Sequence, residues 1–348
     1  MNKTTNIVFV PGDNFACGYY RLIQVFRLMY LGCRKDYSVT MLPMGKFTYM
    51  GPNSIIYTQR ICNEKSLKPI YEFKQKYGVK IVCDFDDLLW EYEGQSIPDY
   101  NYCRAFQDMR GNTEYMKEYA DKVLDHVTVS TEYLKKSLLQ FMPEDKITVM
   151  PNRLTYSEWG FDKVDSIPAE DIFLWAGSKT HYDNVNKKYG DFTSAWAKYL
   201  SGKKTITMSN TPWFIKPALQ LPGAGLNTYP SSFRKAALQA KFVMAPLADN
   251  PFNASKSHLK YLECCAVGRV CLCSTFENGP YEGAHEYQKV PLDTTYKGLE
   301  YIVERVKEHY VEILGHQYRY MQKYWLDNNI GEYWNLFDRL TGKNEPNK

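Results

Sequence analysis

Short apolar runs recur along the chain, each followed by a stretch in which apolar residues return every three or four positions. In the first half the runs at 6–10, 38–41, 55–58, 79–85, 126–130 and 147–150 have the composition of buried strands. Between them, 19–31, 65–77, 114–124 and 131–139 carry helical spacing, with Leu22, Ile23, Phe26, Leu28 and Met29 as the apolar positions of the first. Repeated strand–helix–strand units of this length predict a parallel sheet with helices on both faces. The alternation lapses after Pro151-Asn152, where residues 154–169 are polar and irregular, and then restarts. Runs at 172–176, 204–208, 242–245 and 269–274 predict strands. Residues 191–200, 232–239, 256–267, 295–314, 316–325 and 330–340 predict helices.

The pattern predicts an α/β chain of two Rossmann-like, doubly wound halves. The expected divisions are 1–152, a linker at 153–170, a second domain at 171–325, and a C-terminal helix and tail at 326–348. Ligands of such sheets sit at the carboxyl ends of the strands, so two halves facing each other across a cleft would hold one there.

Composition narrows this picture only in part. A length of 348 residues, 44% hydrophobic, supports two ordinary cores. No apolar run approaches the roughly 18 residues a membrane span needs, and the first apolar run is too short for a signal-peptide core. A cytoplasmic location is expected. The nine cysteines are scattered, and Cys271-x-Cys273 has no second Cys/His pair at zinc-site spacing, so they read as buried thiols and no metal site is expected. A net charge of +4 permits an anionic partner without demanding one.

Four segments carry candidate chemistry. The first runs from Pro246 through Asn253, Lys256, Ser257, Lys260 and Glu263 to Gly268. It reads as strand end, loop, helix, glycine stop and strand. The free N–H groups and dipole of a helix start near Lys256 favour a phosphate. Ser257 and Lys260 fall on one face, so a hydroxyl and an ammonium would converge on that anion. Glu263, three residues on, is placed to accept both hydroxyls of a ribose. In the second segment a strand runs through Trp175 into Gly177, Ser178, Lys179, Thr180, His181 and Asp183, a turn whose backbone would approach a phosphate. The third, Gly12 through Gly18, Tyr19, Tyr20 and Arg21, is a glycine-bearing loop entering a helix. It lacks the G-x-G-x-x-G spacing, so no nicotinamide cofactor is indicated. Arg21 is a candidate to brace a phosphate or an acceptor group. In the fourth, Asp84, Asp86 and Asp87 crowd the end of a strand.

These segments resemble glycosyltransferase group 1, the family-4-like enzymes of GT-B fold. The first resembles that family's N-x-x-K-S-x-x-K-x-x-E donor signature and the second its G-S-P-T-H-x-x-D element, with Lys179 where proline is usual. The fourth resembles its D-x-D-D segment. Thr128-Val129-Ser130-Thr131 and Val149-Met150-Pro151-Asn152 resemble its V-S-T turn and V-x-P-N exit, and the matches span residues 7–280. The resemblance implies a nucleoside-diphosphate sugar, UDP-linked, as donor, and, by analogy with GT-B folds, a C-terminal helix at 326–348 that packs back on the first domain. It implies donor binding by Gly177, Ser178, Lys179, Asn253, Lys256, Ser257, Lys260 and Glu263, and an acceptor side at Gly18, Tyr19 and Tyr20. Asp86, Asp87 and Arg21 are the catalytic candidates. No cofactor or divalent metal is required, because basic side chains and helix N-termini meet the leaving-group charge in this fold. Ser255 stands where many retaining members carry a second glutamate, which leaves retaining and inverting outcomes both open.

The acceptor reading divides. Phage enzymes that glycosylate 5-hydroxymethylcytosine in DNA share the fold and chain size, and the basic balance and many tyrosines suit DNA; a base within a duplex would have to be flipped out. A surface polysaccharide or glycoconjugate is the other acceptor class. A sugar-nucleotide epimerase and a non-catalytic nucleic-acid-binding protein are the readings from other classes.

Overall fold

The computed structural model describes residues 4–13, 16–43, 46, 50–94, 111–160, 167–223 and 228–343. These residues fall into two compact units, one drawn from 1–86, 111–156 and 324–348 and the other from 87–110 and 157–323.

The first unit is built on a six-stranded sheet of order β2-β1-β3-β4-β5-β6. Its strands are β1 (Thr5–Val10), β2 (Tyr37–Met41), β3 (Ser54–Gln59), β4 (Lys80–Phe85), β5 (His126–Val129) and β6 (Ile147–Val149). Every neighbouring pair is parallel. β3 is buried at every position and β4 at all but its first, as befits strands covered on both faces. The helix Glu64–Tyr77 shows why local sequence suffices here: Asn63 and Ser66 form a reciprocal capping box at its start, and Gly78 closes it. The expected helix at 19–31 starts earlier, as a turn at Ala16–Gly18. It continues through a π-helical turn at Tyr19–Ile23 into Gln24–Leu31. The helix Gly331–Thr341 belongs to this unit, where Tyr333, Trp334, Leu336 and Phe337 pack with Phe9, Tyr37 and Tyr57.

The second unit carries the order β12-β11-β10-β7-β8-β9. Its strands are β7 (Ile172–Gly177), β8 (Lys204–Ser209), β9 (Leu219–Leu221), β10 (Phe242–Ala245), β11 (Val270–Thr275) and β12 (Lys289–Pro291), again all parallel. Its core joins Phe173 and Trp175 of β7 and Phe242 and Met244 of β10 to Trp196, Tyr199, Leu299, Val303 and Ile313 from the helices. The long helix expected at 295–314 is broken at His309 into Tyr296–Glu308 and Tyr310–Met321. The helix expected from 191 begins at Ser194, where the Thr193 side chain caps it.

Part of the stretch read as linker is built in. Leu154 is buried and bridges to Trp325, and a short helix spans Tyr156–Trp159. Residues 161–166 of that stretch, and 344–348 of the tail, lie outside the described residues. Among the described residues no helix is long and apolar enough to cross a membrane.

Both strand orders reverse once, between β1 and β3 in the first sheet and between β7 and β10 in the second. In open parallel sheets these reversals are the crevices where ligands bind, at the carboxyl ends of the strands.

Candidate functional site

Two of the sequence segments flank the reversal of the second sheet. β7 ends in Gly177, and Ser178 caps the short 3-10 turn Lys179–His181, its Oγ accepting the Thr180 N–H and lying 2.5 Å from the Thr180 hydroxyl. Glycine is required at 177 for space: a Cβ there would lie 2.2 Å from the Trp175 ring. His181 packs edge-on against that ring, and its Nδ1 lies 2.6 Å from Asp191 Oδ2.

β10 exits into Pro246. The Ala248 N–H donates to Asp191 Oδ1 at 3.1 Å, and the Asn253 side-chain amide donates to the same oxygen at 2.6 Å and to Ala248 O at 2.9 Å. Asn250 caps the turn Pro251–Ala254. Ser255 is fully buried and donates its hydroxyl to Phe252 O. The position where a glutamate would stand is therefore closed into the fold.

The helix starts three residues later than expected. Lys256 and Ser257 lie in the non-helical stretch before it, and the helix proper is Leu259–Val267, ended by Gly268. His258 at its N-cap makes no side-chain capping bond, and the N–H groups and dipole of a helix start so left favour an anion. The Lys256 ammonium lies 4.4 Å from the centroid of the Phe252 ring. Lys260 and Glu263 do share a face, and here they hold each other, Nζ to Oε2 at 2.5 Å, while Lys260 also donates to the Tyr229 hydroxyl at 3.1 Å and lies over the Phe233 ring. Glu263 is only 2% exposed. Burial works against the Lys260 charge, but Glu263 and then Tyr229 outweigh it and raise its pKa above the usual lysine value. Burial, then Glu263, likewise raises the Tyr229 phenol, so Tyr229 stays protonated.

The first sheet's reversal is occupied differently. After β1, Asp13 accepts the Gly18 N–H at 3.0 Å, and the chain passes so close that a Cβ on Gly18 would lie 2.1 Å from Asp13 O. Tyr19 and Tyr20 are buried, ring to ring at 5.0 Å, rather than presented to an acceptor. Arg21 corrects the expectation most clearly. It is 1% exposed and grips both oxygens of Asp84, at 2.9 and 2.7 Å, and also donates to Met150 O and Asn152 Oδ1. Burial opposes its charge and Asp84 restores it, leaving the pKa raised. A guanidinium so surrounded has no face left for a substrate. Asp84 in turn accepts from Thr128 at 2.6 Å and from Tyr57 at 3.4 Å. Of the three clustered carboxylates it is thus a core group. Asp86 pairs with Arg60 at 3.3 Å, which also holds Asp13 and the Cys17 thiol. Asp87 is half-buried, at the point where the two units divide.

Sequence reasoning missed Asp191 as a site residue, along with Tyr229 and Arg60. The apolar spacing places Asp191 in a helix, and only Gly190 before it and the Thr193 cap after it mark the place as a loop.

These sheets, their reversals and their order define a GT-B architecture. No protein-family model matches the chain, and no curated protein does. Solved structures do match it along its whole length. A glycosyltransferase from Rickettsia africae ESF-5 superposes with a TM-score of 0.61 at 12% identity, covering 99% of this chain and 100% of its own. HepE of Anabaena, solved with UDP, gives 0.61 at 11% identity over 97% and 100%. The lipopolysaccharide outer core galactosyltransferase WaaB gives 0.55 at 10% over 96% and 100%. At such identities the likeness establishes the GT-B fold.

Proposed function

We propose that the protein is a glycosyltransferase that moves a sugar from a UDP-sugar to an acceptor hydroxyl. The observation that carries this reading is the reversal of the second sheet. A glycine-serine turn, the Asn253 segment and an uncapped helix start bearing Lys256, Lys260 and Glu263 all meet the carboxyl ends of β7 and β10. HepE, similar in fold, has been solved with UDP and with UDP-glucose, which supports a UDP-linked donor.

The chemistry is displacement at the anomeric carbon through an oxocarbenium-like state, with negative charge building on the departing diphosphate. Backbone N–H groups at Ser178 and Leu259, with Lys256 and Lys260, are suited to that charge. Ser257, at the helix start, and Lys179, in the turn, belong to the same donor group. Glu263 accepts from the ribose once Lys260 turns from it to the phosphate. Asp86 and Asp87 are the base candidates for an inverting reaction. With Ser255 in place of a second glutamate, either stereochemical course is compatible with the reading.

For the acceptor, a glycan hydroxyl is favoured by the likeness to WaaB, a lipopolysaccharide outer core galactosyltransferase. 5-Hydroxymethylcytosine in DNA is the second arm of the experiment. Thermal shift against UDP, UDP-glucose, UDP-galactose, GDP-mannose and ADP-glucose identifies the donor. Mass spectrometry of oligosaccharides and of hydroxymethylated and plain DNA incubated with that donor then identifies the acceptor. A chain that binds none of these donors, or that converts a UDP-sugar to its epimer without an acceptor, refutes the proposal.

A further inference from the structure

One carboxylate serves both arms of the candidate donor site. Asp191, 6% exposed, gives Oδ2 to His181 Nδ1 at 2.6 Å, and gives Oδ1 to the Ala248 N–H and the Asn253 amide. The first contact fixes the turn after β7. The other two fix the segment that leads to the helix Leu259–Val267. A carboxylate only accepts hydrogen bonds, so Nδ1 of His181 carries a hydrogen whether the ring is neutral or charged. What changes with protonation is Nε2. Neutral, it is an acceptor; charged, it donates. No protein partner holds Nε2 among the described residues, and the side chain is 18% exposed. On the same network Asn253 Oδ1 is a buried acceptor without a hydrogen-bond partner among the described residues, which suits a donor such as a sugar hydroxyl rather than a phosphate oxygen.

The charged groups around the ring come from three elements. Asp191 stands on the loop ahead of the helix Ser194–Leu200, Lys256 on the stretch after Pro251–Ala254, and Lys260 on the first turn of Leu259–Val267. Burial is the largest influence and lowers the imidazole's pKa. Asp191 raises it, and the two lysines lower it again, so that the ring is held below its ordinary value. In the ligand-free protein these influences together favour the neutral imidazole.

We propose that binding of a nucleotide-sugar diphosphate protonates His181, so that an imidazolium backed by Asp191 joins Lys256 and Lys260 on the departing phosphates. This rests on the donor reading above. The incoming diphosphate brings negative charge beside the two lysines and cancels their repulsion of a third cation, while Asp191 supplies a buried counter-ion already in contact. One proton passes from solvent to Nε2 as the donor binds and returns to solvent when the nucleotide leaves. Asp191 is the positioning residue in this arrangement, acting through His181.

The test is isothermal titration calorimetry of the full chain with UDP-glucose, in two buffers of different ionisation enthalpy, across pH 6 to 8.5. UDP-glucose is the probe because its diphosphate is esterified at both ends and has no phosphate ionisation in this range, unlike UDP itself. The wild type takes up a proton on binding. Its affinity falls as pH rises, by up to about ten-fold per pH unit in the window between the free and bound values of His181. His181→Gln binds with no uptake and no such slope. Asp191→Asn keeps a hydrogen-bond acceptor but removes the counter-charge, and its uptake moves to lower pH. Binding without proton uptake by the wild type, or undiminished uptake by His181→Gln, overturns the inference while leaving the donor reading intact. Absence of any UDP-glucose binding overturns the donor reading, and this inference with it.

Discussion

Replacing Arg21 with methionine separates a structural arginine from a catalytic one. The guanidinium is 1% exposed and makes two bonds to Asp84, one to Met150 O and one to Asn152 Oδ1. Removing it leaves the Asp84 carboxylate buried with only the Thr128 and Tyr57 hydroxyls for company. Breaking one half of a buried ion pair in this way costs about 3–5 kcal/mol. That is a large share of the roughly 5–15 kcal/mol that holds a domain folded. Asp84→Ala strands the arginine and costs about the same. The double variant Arg21→Met/Asp84→Leu removes both charges and recovers most of the loss. A residue of about 1–3 kcal/mol remains because Met150 O, Asn152 and Thr128 each lose a partner. The assay is urea unfolding followed by tryptophan fluorescence, in which Trp334, packed in the same core as Phe9 and Tyr57, reports on the first unit. The two units need not unfold together, so the transition must be resolved from that of the second. If Arg21→Met unfolds within about 1 kcal/mol of the wild type yet abolishes donor turnover, the reasoning fails and Arg21 acts on a substrate.

Glu263→Gln keeps the shape of the side chain but removes the charge that would grip the ribose; UDP-glucose affinity should fall by about 1.5–3 kcal/mol, about ten- to hundred-fold by calorimetry, and an unchanged affinity would remove Glu263 from the site. Gly177→Ala drives a Cβ to 2.2 Å from the Trp175 ring; the second unit should lose about 1–3 kcal/mol in urea unfolding, with donor affinity falling as the turn shifts. Burial, and secondarily Arg339, lowers the pKa of His126 from 6.5 to about 4. The unfolded chain therefore binds a proton between those values that the folded one does not. The stability it confers is complete above pH 6.5 and is lost as pH falls toward 4, about 3 kcal/mol in all. His126→Gln should flatten that part of the pH–stability curve, and a curve of unchanged slope would contradict the assignment.

The strands were legible because parallel sheets covered on both faces demand unbroken apolar runs, and β1, β3, β4, β7, β10 and β11 supply them. β9 and β12 were not. Each has three residues, lies at a sheet edge, and includes exposed positions, so neither leaves a pattern. The candidate donor segment stands out by residue type and spacing, but its helix starts later than the spacing predicts. Ser255 turns inward to Phe252 O, and the chain runs non-helically through Lys256 and Ser257 before Leu259. The roles of charged residues were the least legible. Arg21 reads the same in sequence whether it faces solvent or the core, and what decides is a carboxylate 63 positions away. Asp191 reaches His181 across ten residues and Asn253 across 62, separations that no local rule encodes.

The two sheets show why a charged residue at a strand reversal is not by itself a sign of a ligand. In the first sheet, the arginine that follows β1 turns inward to the carboxylate on β4, and the hydroxyls of β3 and β5 complete its surroundings. The crevice there is filled by the protein's own ion pair, and its charges are satisfied. In the second, the cationic partners keep some exposure, 21% for the Lys260 side chain and 18% for that of His181, while Glu263 and Asp191 are buried. Lys260 leans on Glu263 and Tyr229, Lys256 rests on an aromatic ring, and His181 keeps one nitrogen unengaged. A self-paired lysine and glutamate at the start of an uncapped helix form an arrangement that a diphosphate and a ribose can divide between them, each partner exchanging the other for a ligand group. A pair buried as deeply as Arg21 and Asp84 cannot exchange in that way, because opening it would strand both charges. Of the two crevices, the second is therefore the candidate for an anion, although both sheets place an arginine or lysine near the expected position.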